Sequence, residues 1–90
     1  MLNKEVKDKI IKEFAQSEND TGSSQVQIAL LTERIRQISD HLKSFPKDKH
    51  SRLGLVKLVG KRRAFYNYLK KRNLQDFQKL MTDMKTKGYL

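Results

Sequence analysis

Apolar residues recur at alternating steps of three and four through the middle of this chain. The positions with this spacing are Ile28, Leu31, Ile35, Ile38, Leu42 and Phe45. Such a seam is typical of a helix that packs nearly antiparallel against other helices. Ser24 and Gln27 match the S-x-x-Q capping box at its start. Pro46 stops it, because the residue before proline is steered out of the helical region. The pattern predicts a helix over about residues 24–44.

Two further helices flank this one. A short first helix is predicted over about residues 3–15, and the turn-forming stretch 16–23 ends it. The apolar positions on one face of this helix are Val6, Ile10, Ile11 and Phe14. After a short connection at 47–49, a third helix is predicted over about residues 51–72. Its expected buried face consists of Leu55, Val56, Val59, Phe65, Tyr66 and Leu69.

Asn73 has the chemistry of an N-cap and predicts a fourth helix, with Asp76 in its first turn. The apolar stripe expected in this helix is Phe77, Leu80, Met81 and Met84. No segment alternates with the period of two that a strand requires. We therefore expect an all-α domain of four helices, the last three forming an antiparallel up-down bundle. Whether the short first helix docks on the bundle is left open.

Composition limits the classes to which the chain can belong. Its 90 residues are enough for one small domain, spanning 1–90, and it has no cysteine to form a disulfide or a thiolate metal site. No apolar run approaches the roughly 20 residues that span a bilayer. The first residues lack the apolar region of a signal peptide. We expect a soluble, intracellular protein without a bound metal or cofactor.

Positive charge is concentrated in residues 41–72. This segment holds eleven Lys and Arg residues against a single acid, Asp48, so it carries the whole formal net charge of +10. Such a block repels itself in the compact state, and a polyanion relieves the repulsion, most commonly the phosphate backbone of nucleic acid. The basic residues expected to contact phosphates are Lys57, Lys61, Arg62, Arg63 and Lys70. A merely solvated face would mix the two signs of charge more evenly.

Several motifs, in order, connect the chain with a known family. They are DTGSSQVQIALLTERI at 20–35, HLK at 41–43, KDKHSRLGL at 47–55 and LVGKRR at 58–63. With them the chain resembles the bacterial small-subunit ribosomal protein S15 family over nearly its whole length. The resemblance implies a four-helix protein that binds small-subunit ribosomal RNA directly and early in assembly. The implied contacts are a three-way junction and a G-U/G-C step in the minor groove of an adjoining RNA helix.

The resemblance also implies site residues, position by position. Those facing the junction would be Thr21, Gly22, Gln27 and Tyr68, with Arg34 and Lys71 contacting the RNA backbone. Those in the minor groove would be His41, Asp48 and Ser51. The chain departs from the family pattern at 45–46, where Phe-Pro replaces a His-Lys type of pair, and at Lys49, Leu53 and 64–67.

The residue types suit this chemistry. The minor groove of A-form RNA is wide and shallow and displays base edges and 2′-hydroxyls. Short polar groups such as those of His41, Asp48 and Ser51 can reach them from the tip of a helical hairpin. Tyr68 can stack on a base exposed where strands part. A helix from Ser24 to Ser44 is about 30 Å long, so the hairpin would hold its two ends at a fixed separation.

Simpler roles stay open for some of these residues. Gln27 can serve only a capping box, Tyr68 can be an aromatic at the edge of the core, and His41 can simply end a helix. Thr21 and Gly22 can be ordinary turn residues. Catalysis is not expected, because the triad-like set of histidine, aspartate and serine would need a desolvated cleft with an oxyanion hole.

Two glycines within the third helix, Gly54 and Gly60, indicate close approach by another helix or by RNA, and the sequence does not choose between them. The expected partners are small-subunit ribosomal RNA and neighbouring ribosomal proteins, in the cytoplasm. Contact with the large subunit and binding to the chain's own messenger RNA stay open. Two rival functions are general nucleic-acid packaging and attachment to anionic membranes as a basic amphipathic protein.

Overall fold

The computed structural model describes residues 3–18, 20 and 22–90. They form four helices: α1 (Lys4–Phe14), α2 (Ser24–Ser44), α3 (Lys49–Arg72) and α4 (Leu74–Thr86). No strand occurs in this described part of the chain, so the all-α prediction is confirmed. Thr21, expected to face RNA, lies outside the described residues. None of the helices among them is long and apolar enough to cross a membrane.

The N-cap of α2 is Ser23, so the capping box predicted from Ser24 and Gln27 is wrong. The residue three after Ser23 is Val26, whose side chain cannot complete such a box. The Ser23 hydroxyl accepts a hydrogen bond from the Val26 amide at 3.3 Å, and Ser24 is the first helical residue. Either of two consecutive serines has the chemistry of a cap. Asp20 decides between them, since its carboxylate accepts the Ser23 amide at 2.8 Å and fixes Ser23 outside the helix.

Asp48 caps α3, which begins two residues earlier than the sequence pattern predicts. Its Oδ1 accepts the Ser51 amide at 3.0 Å, and Lys49 is the first helical residue. Asn73 both ends α3 and starts α4, as predicted. Its amide donates to the Leu69 carbonyl at 2.8 Å, and its side chain accepts the Asp76 amide at 3.1 Å.

The short first helix is docked, which settles the question that the sequence left open. Ile10 and Phe14 are buried in one core with residues of all three other helices. The C-terminal residues hold α1 from outside. Tyr89 packs edge-on against Phe14, with 5.2 Å between ring centroids, and its hydroxyl donates to the Glu13 carboxylate at 3.0 Å. Burial and this bond to Glu13 raise the pKa of Tyr89 to about 12.

The core lies mainly on α2, which contacts each of the other helices. The buried apolar residues that form one cluster are Ile10, Phe14, Val26, Ile28, Ala29, Leu30, Leu69, Leu80 and Met84. Only Leu69 of α3 belongs to this cluster. Helix α4 contacts the C-terminal part of α3, where Tyr66 meets Phe77 with ring centroids 5.7 Å apart.

Two residues expected on buried helix faces, one in α3 and one in α2, are exposed. Val56 is 63% exposed, because a position next to Leu55 lies about 100° further round the helix and turns towards solvent. Phe45 is 58% exposed. It is the C-cap of α2 and has left helical geometry, with φ −129° and ψ 66°, so its side chain does not continue the seam.

Candidate nucleic-acid interface

The turn between α2 and α3 brings together the three residues expected to read the minor groove. Asp48 Oδ2 lies 2.8 Å from His41 Nε2 and accepts the Ser51 hydroxyl at 2.6 Å. Asp48 Oδ1 accepts the Ser51 amide. We call His41, Asp48 and Ser51 the tip cluster. Its members converge as the sequence predicts, since the last turn of α2 meets the first turn of α3 there.

Asp48 is the centre of the tip cluster. Hydrogen bonds from the Ser51 hydroxyl, from the Ser51 amide and from His41 hold the pKa of Asp48 well below its usual range. The carboxylate is therefore ionised at neutral pH. It offers about four acceptor positions, of which these three bonds use three. Capping α3 accounts for an acid in so basic a segment, and sequence reasoning had assigned it to RNA contact alone.

An aromatic side chain supports His41. The Phe45 ring is stacked on the imidazole, with centroids 4.9 Å apart and planes inclined by 29°. The rest of the turn is closed by backbone contacts. The Asp48 amide donates to the Phe45 carbonyl at 3.1 Å, and the Arg52 guanidinium donates to the Pro46 carbonyl. Sequence reasoning missed this role of Phe45, although its position four residues after His41 on a helix was a signal.

At the opposite end of the hairpin, Gly22 and Tyr68 line one depression in the surface, with Ser24, Asn73 and other residues around them. The start of α2 and the end of α3 are thus neighbours, as antiparallel packing predicts. Tyr68 is 51% exposed and is not a core aromatic. Arg72 donates to the Tyr68 hydroxyl at 2.9 Å and lies 5.9 Å from the ring centroid. Arg72 was not among the predicted site residues.

Asp20 holds together the loop that leads into α2 at this end of the hairpin. Its carboxylate accepts the amides of Gln16 at 2.8 Å, Gly22 at 3.1 Å and Ser23 at 2.8 Å. Burial raises the pKa of Asp20, but hydrogen bonds from the side chain and amide of Ser23 and from the other amides outweigh it and lower the pKa to about 2. Gly22 is exposed, with nothing within 4 Å of the place a Cβ would occupy.

Predicted site residues on α2 lie along one side of the helix. Gln27, Arg34 and His41 are seven residues apart, a spacing that drifts by only about 20° per step. They cover about 21 Å of helix length. The acids of α2 lie on another side, where Glu33 and Asp40 pair with Arg36. The line from Gln27 to His41 is therefore clear of the carboxylates of α2, and the carboxylate that lies at its His41 end is that of Asp48.

The basic residues of α3 divide into two groups. Lys57, Lys61, Arg63 and Lys71 are exposed, and among the described residues none of them pairs with an acid. Arg62 is half-buried and makes a hydrogen bond within the protein. It donates to the Thr32 hydroxyl at 3.3 Å.

Besides Arg72, which lies over Tyr68, two basic side chains of α3 lie over aromatic rings. Arg62 lies 5.5 Å from the centroid of the Tyr66 ring, and Lys70 lies 4.9 Å from that of Phe77. Arg62 therefore joins α3 to α2, and Lys70 covers α4. Among the described residues, no contact of this kind holds the charged groups of the exposed Lys57, Lys61, Arg63 and Lys71.

No group of three or more metal-ligating side chains occurs within residues 3–18, 20 and 22–90. The candidate interface consists of hydrogen-bonding and basic side chains on two antiparallel helices. The family model described as Ribosomal protein S15 matches residues 7–87. The chain belongs to the ribosomal protein S15 family. That membership agrees with the resemblance carried by the sequence motifs.

Curated relatives in this family match most of the chain. The small ribosomal subunit protein uS15 of Desulforamulus reducens is 56% identical over 80 residues, which cover 89% of this chain and 90% of the relative. The protein of the same name from Borrelia hermsii is 51% identical and covers 93% and 96% of the two chains. That of Dictyoglomus thermophilum is 48% identical over 92% and 93%.

Proposed function

We propose that this protein is a non-catalytic constituent of the small ribosomal subunit that binds small-subunit ribosomal RNA. Family membership supports the assignment, since the relatives are named as proteins of that subunit. The charge distribution supports RNA as the direct partner, because the exposed cations of α3 pair with no acid among the residues that the structure describes. We place the protein in the cytoplasm, in the ribosome, with neighbouring small-subunit proteins as further partners.

The proposed site has two ends. At one, the tip cluster reads a G-U/G-C step in the minor groove of an RNA helix through His41, Ser51 and the remaining acceptor position of Asp48. At the other, Gly22, Gln27 and Tyr68 hold a three-way junction. Between the ends, basic side chains bind phosphates without regard to sequence. The residues assigned to this last role are Arg34, Lys61, Arg63 and Lys71.

The observation that carries this proposal is the placement of two different polar clusters at opposite ends of one stiff hairpin. A helix of 21 residues holds them about 30 Å apart. Two RNA arms bound at both ends are therefore fixed at one separation and one angle. The ordered junction then presents a defined surface to ribosomal proteins that join later. Thr21 is assigned to the junction end by the family resemblance alone.

An enzymatic role is not proposed for the tip cluster. A serine nucleophile needs a histidine positioned to accept its proton and a buried carboxylate behind that histidine. Here the Ser51 hydroxyl donates to Asp48 instead, and Asp48 and His41 are both partly exposed. The arrangement serves to hold hydrogen-bonding groups in place for a ligand.

Footprinting on small-subunit ribosomal RNA with the purified protein tests the proposal. We expect two separate protected regions, one at a three-way junction and one in the minor groove of an adjoining helix. Diffuse protection, or equal affinity for duplex DNA and junction RNA at physiological salt, would instead indicate a general packaging protein. Co-sedimentation with anionic liposomes in place of RNA binding would indicate a membrane protein.

A further inference from the structure

Gly54 interrupts α3 one turn after Ser51, and no contact in the described protein requires a glycine there. A Cβ added at Gly54 would meet no atom within 4 Å beyond its immediate helical surroundings. Its φ is not positive, so the backbone conformation is open to any residue. Glycine inside a helix is nevertheless destabilising relative to alanine. The close approach by another helix that the sequence left open is therefore excluded at this position.

The place of Gly54 on the helix connects it with the interface. Ser51 and Lys57 lie three residues before and after it, and residues three apart are neighbours on a helix surface. Lys61 and Tyr68 follow Gly54 at steps of seven, along the same side of α3. Gly54 is thus a gap in the surface on the path from the tip cluster to the junction end.

We propose that Gly54 is itself an RNA contact, a notch in which the sugar-phosphate backbone of one strand lies against α3. The inference rests on the proposed RNA-binding function and adds a contact to it. Because glycine has no Cβ, an RNA strand can come closer to the helix backbone at this position than it could with any other residue there. The neighbouring Lys57 and Lys61 supply positive charge on that side. A contact of this kind carries no base specificity, since it reaches only sugar and phosphate.

Gly60 provides a matched control in the same helix. It is also open, with nothing within 4 Å of an added Cβ. Six residues separate it from Gly54, which places it about 120° away around the helix axis. Its neighbours three residues away are Lys57 and Arg63, so long basic side chains flank it on both sides, whereas Gly54 is flanked on one side by the short Ser51 of the tip cluster. Alanine should therefore affect helix stability similarly at both glycines and RNA binding at only one.

The experiment compares Gly54→Ala and Gly60→Ala with the wild-type protein. Each should raise the thermal midpoint by about 4–8 °C, because alanine favours the helix and both sites are open. On an rRNA fragment holding the three-way junction and the adjoining helix, Gly54→Ala should weaken Kd roughly tenfold, as a misfitting methyl group does in a packed contact. Gly60→Ala should leave Kd within about twofold of the wild type, since Lys57 and Arg63 reach phosphates with long side chains that extend beyond an added methyl group. Preference for the G-U/G-C step should be unchanged in both.

Equal affinity of Gly54→Ala and the wild type would overturn the inference, as would equal weakening in the two variants. A lowered thermal midpoint for Gly54→Ala would also overturn it, since the space at that position would not be open. Failure of the proposed function is distinguishable. In that case the wild-type protein itself would give no paired protection on the RNA, before any variant is compared.

Discussion

Asp48 Oδ2 lies 2.8 Å from Nε2 of His41, so one carboxylate joins the last turn of α2 to the residue that caps α3. The same oxygen accepts the Ser51 hydroxyl. The groups proposed to read the minor groove are therefore held in place before RNA arrives. Preorganisation of this kind reduces the ordering that binding would otherwise require.

The first prediction separates capping by Asp48 from recognition. Asparagine is as good an N-cap as aspartate, so Asp48→Asn should keep α3 capped while it loses acceptor positions and charge. We expect its preference for a G-U/G-C step over a changed step to fall about tenfold, which is within the 1–3 kcal/mol of a good base contact. Gel-shift titrations on the two RNAs measure the preference. Loss of affinity that is equal on both RNAs would contradict base reading by Asp48.

Ser51→Ala is the companion variant. It removes the hydroxyl that donates to Asp48 and leaves the hydrogen bond from the Ser51 amide, through which Asp48 caps the helix. We expect a similar loss of preference for the G-U/G-C step with little change in the circular dichroism of the free protein. A variant that unfolds would show instead that the hydroxyl is needed for the turn itself.

The second prediction concerns Phe45, which stacks on His41. Aromatic pairs contribute about 0.5–1.5 kcal/mol beyond buried area, so Phe45→Ala should modestly destabilise the turn and free the imidazole ring. We expect broader or shifted His41 signals in NMR spectra and a partial loss of preference for the G-U/G-C step. Phe45→Tyr keeps the ring and should behave as the wild type. An unchanged His41 signal in Phe45→Ala would show that stacking does not position the imidazole.

The third prediction separates the free basic residues of α3 from Arg62. Replacing Lys61 and Arg63 with glutamine should weaken binding to all RNAs and reduce the slope of log K against log salt by about two. Arg62→Ala should mainly destabilise the fold, by about 1 kcal/mol, because it breaks the bond to Thr32 and the packing on Tyr66. Urea unfolding and binding at several salt concentrations distinguish the two effects. A full change of salt slope in Arg62→Ala alone would reverse the assignment.

The fourth prediction is a pH dependence set by Tyr89. Its pKa is raised from 10.0 to about 12, so the folded state favours the protonated phenol. The contribution to stability is complete below pH 10 and is lost as pH rises through about 12. Ultraviolet titration of the wild type minus Tyr89→Phe should show one tyrosine with a midpoint near pH 12. A midpoint at the ordinary value would mean that Tyr89 does not donate to Glu13.

Periodicity predicted most of the fold because each helix must hide one apolar face. The steps in α2 and the stripe in α4 identified Ile28, Leu80 and Met84 as core residues, and all three are buried. Periodicity failed where an element ends. Phe45 continues the numerical pattern, but the helix stops one residue earlier, and no spacing rule contains the geometry of a cap.

The sequence proposed the members of the candidate site but not the hydrogen bonds among them. Motifs and charge identified His41, Asp48 and Ser51, and a helical hairpin was enough to predict that they meet. The bond network was not predictable, because it depends on side-chain rotamers in the turn. Arg72 was missed for the same reason, since its link to Tyr68 is a contact and not a pattern.

The sequence by itself determined four helices, a basic third helix and the family, because these depend on local periodicity, composition and short motifs. The tertiary structure decided that α1 docks, that Arg62 is tied down while Lys61 and Arg63 are free, and that Asp48 both caps a helix and orients two neighbours. Those facts depend on which atoms lie within hydrogen-bonding or packing distance across different helices. One-dimensional spacing specifies the faces of helices, and only their packing specifies which side chains meet.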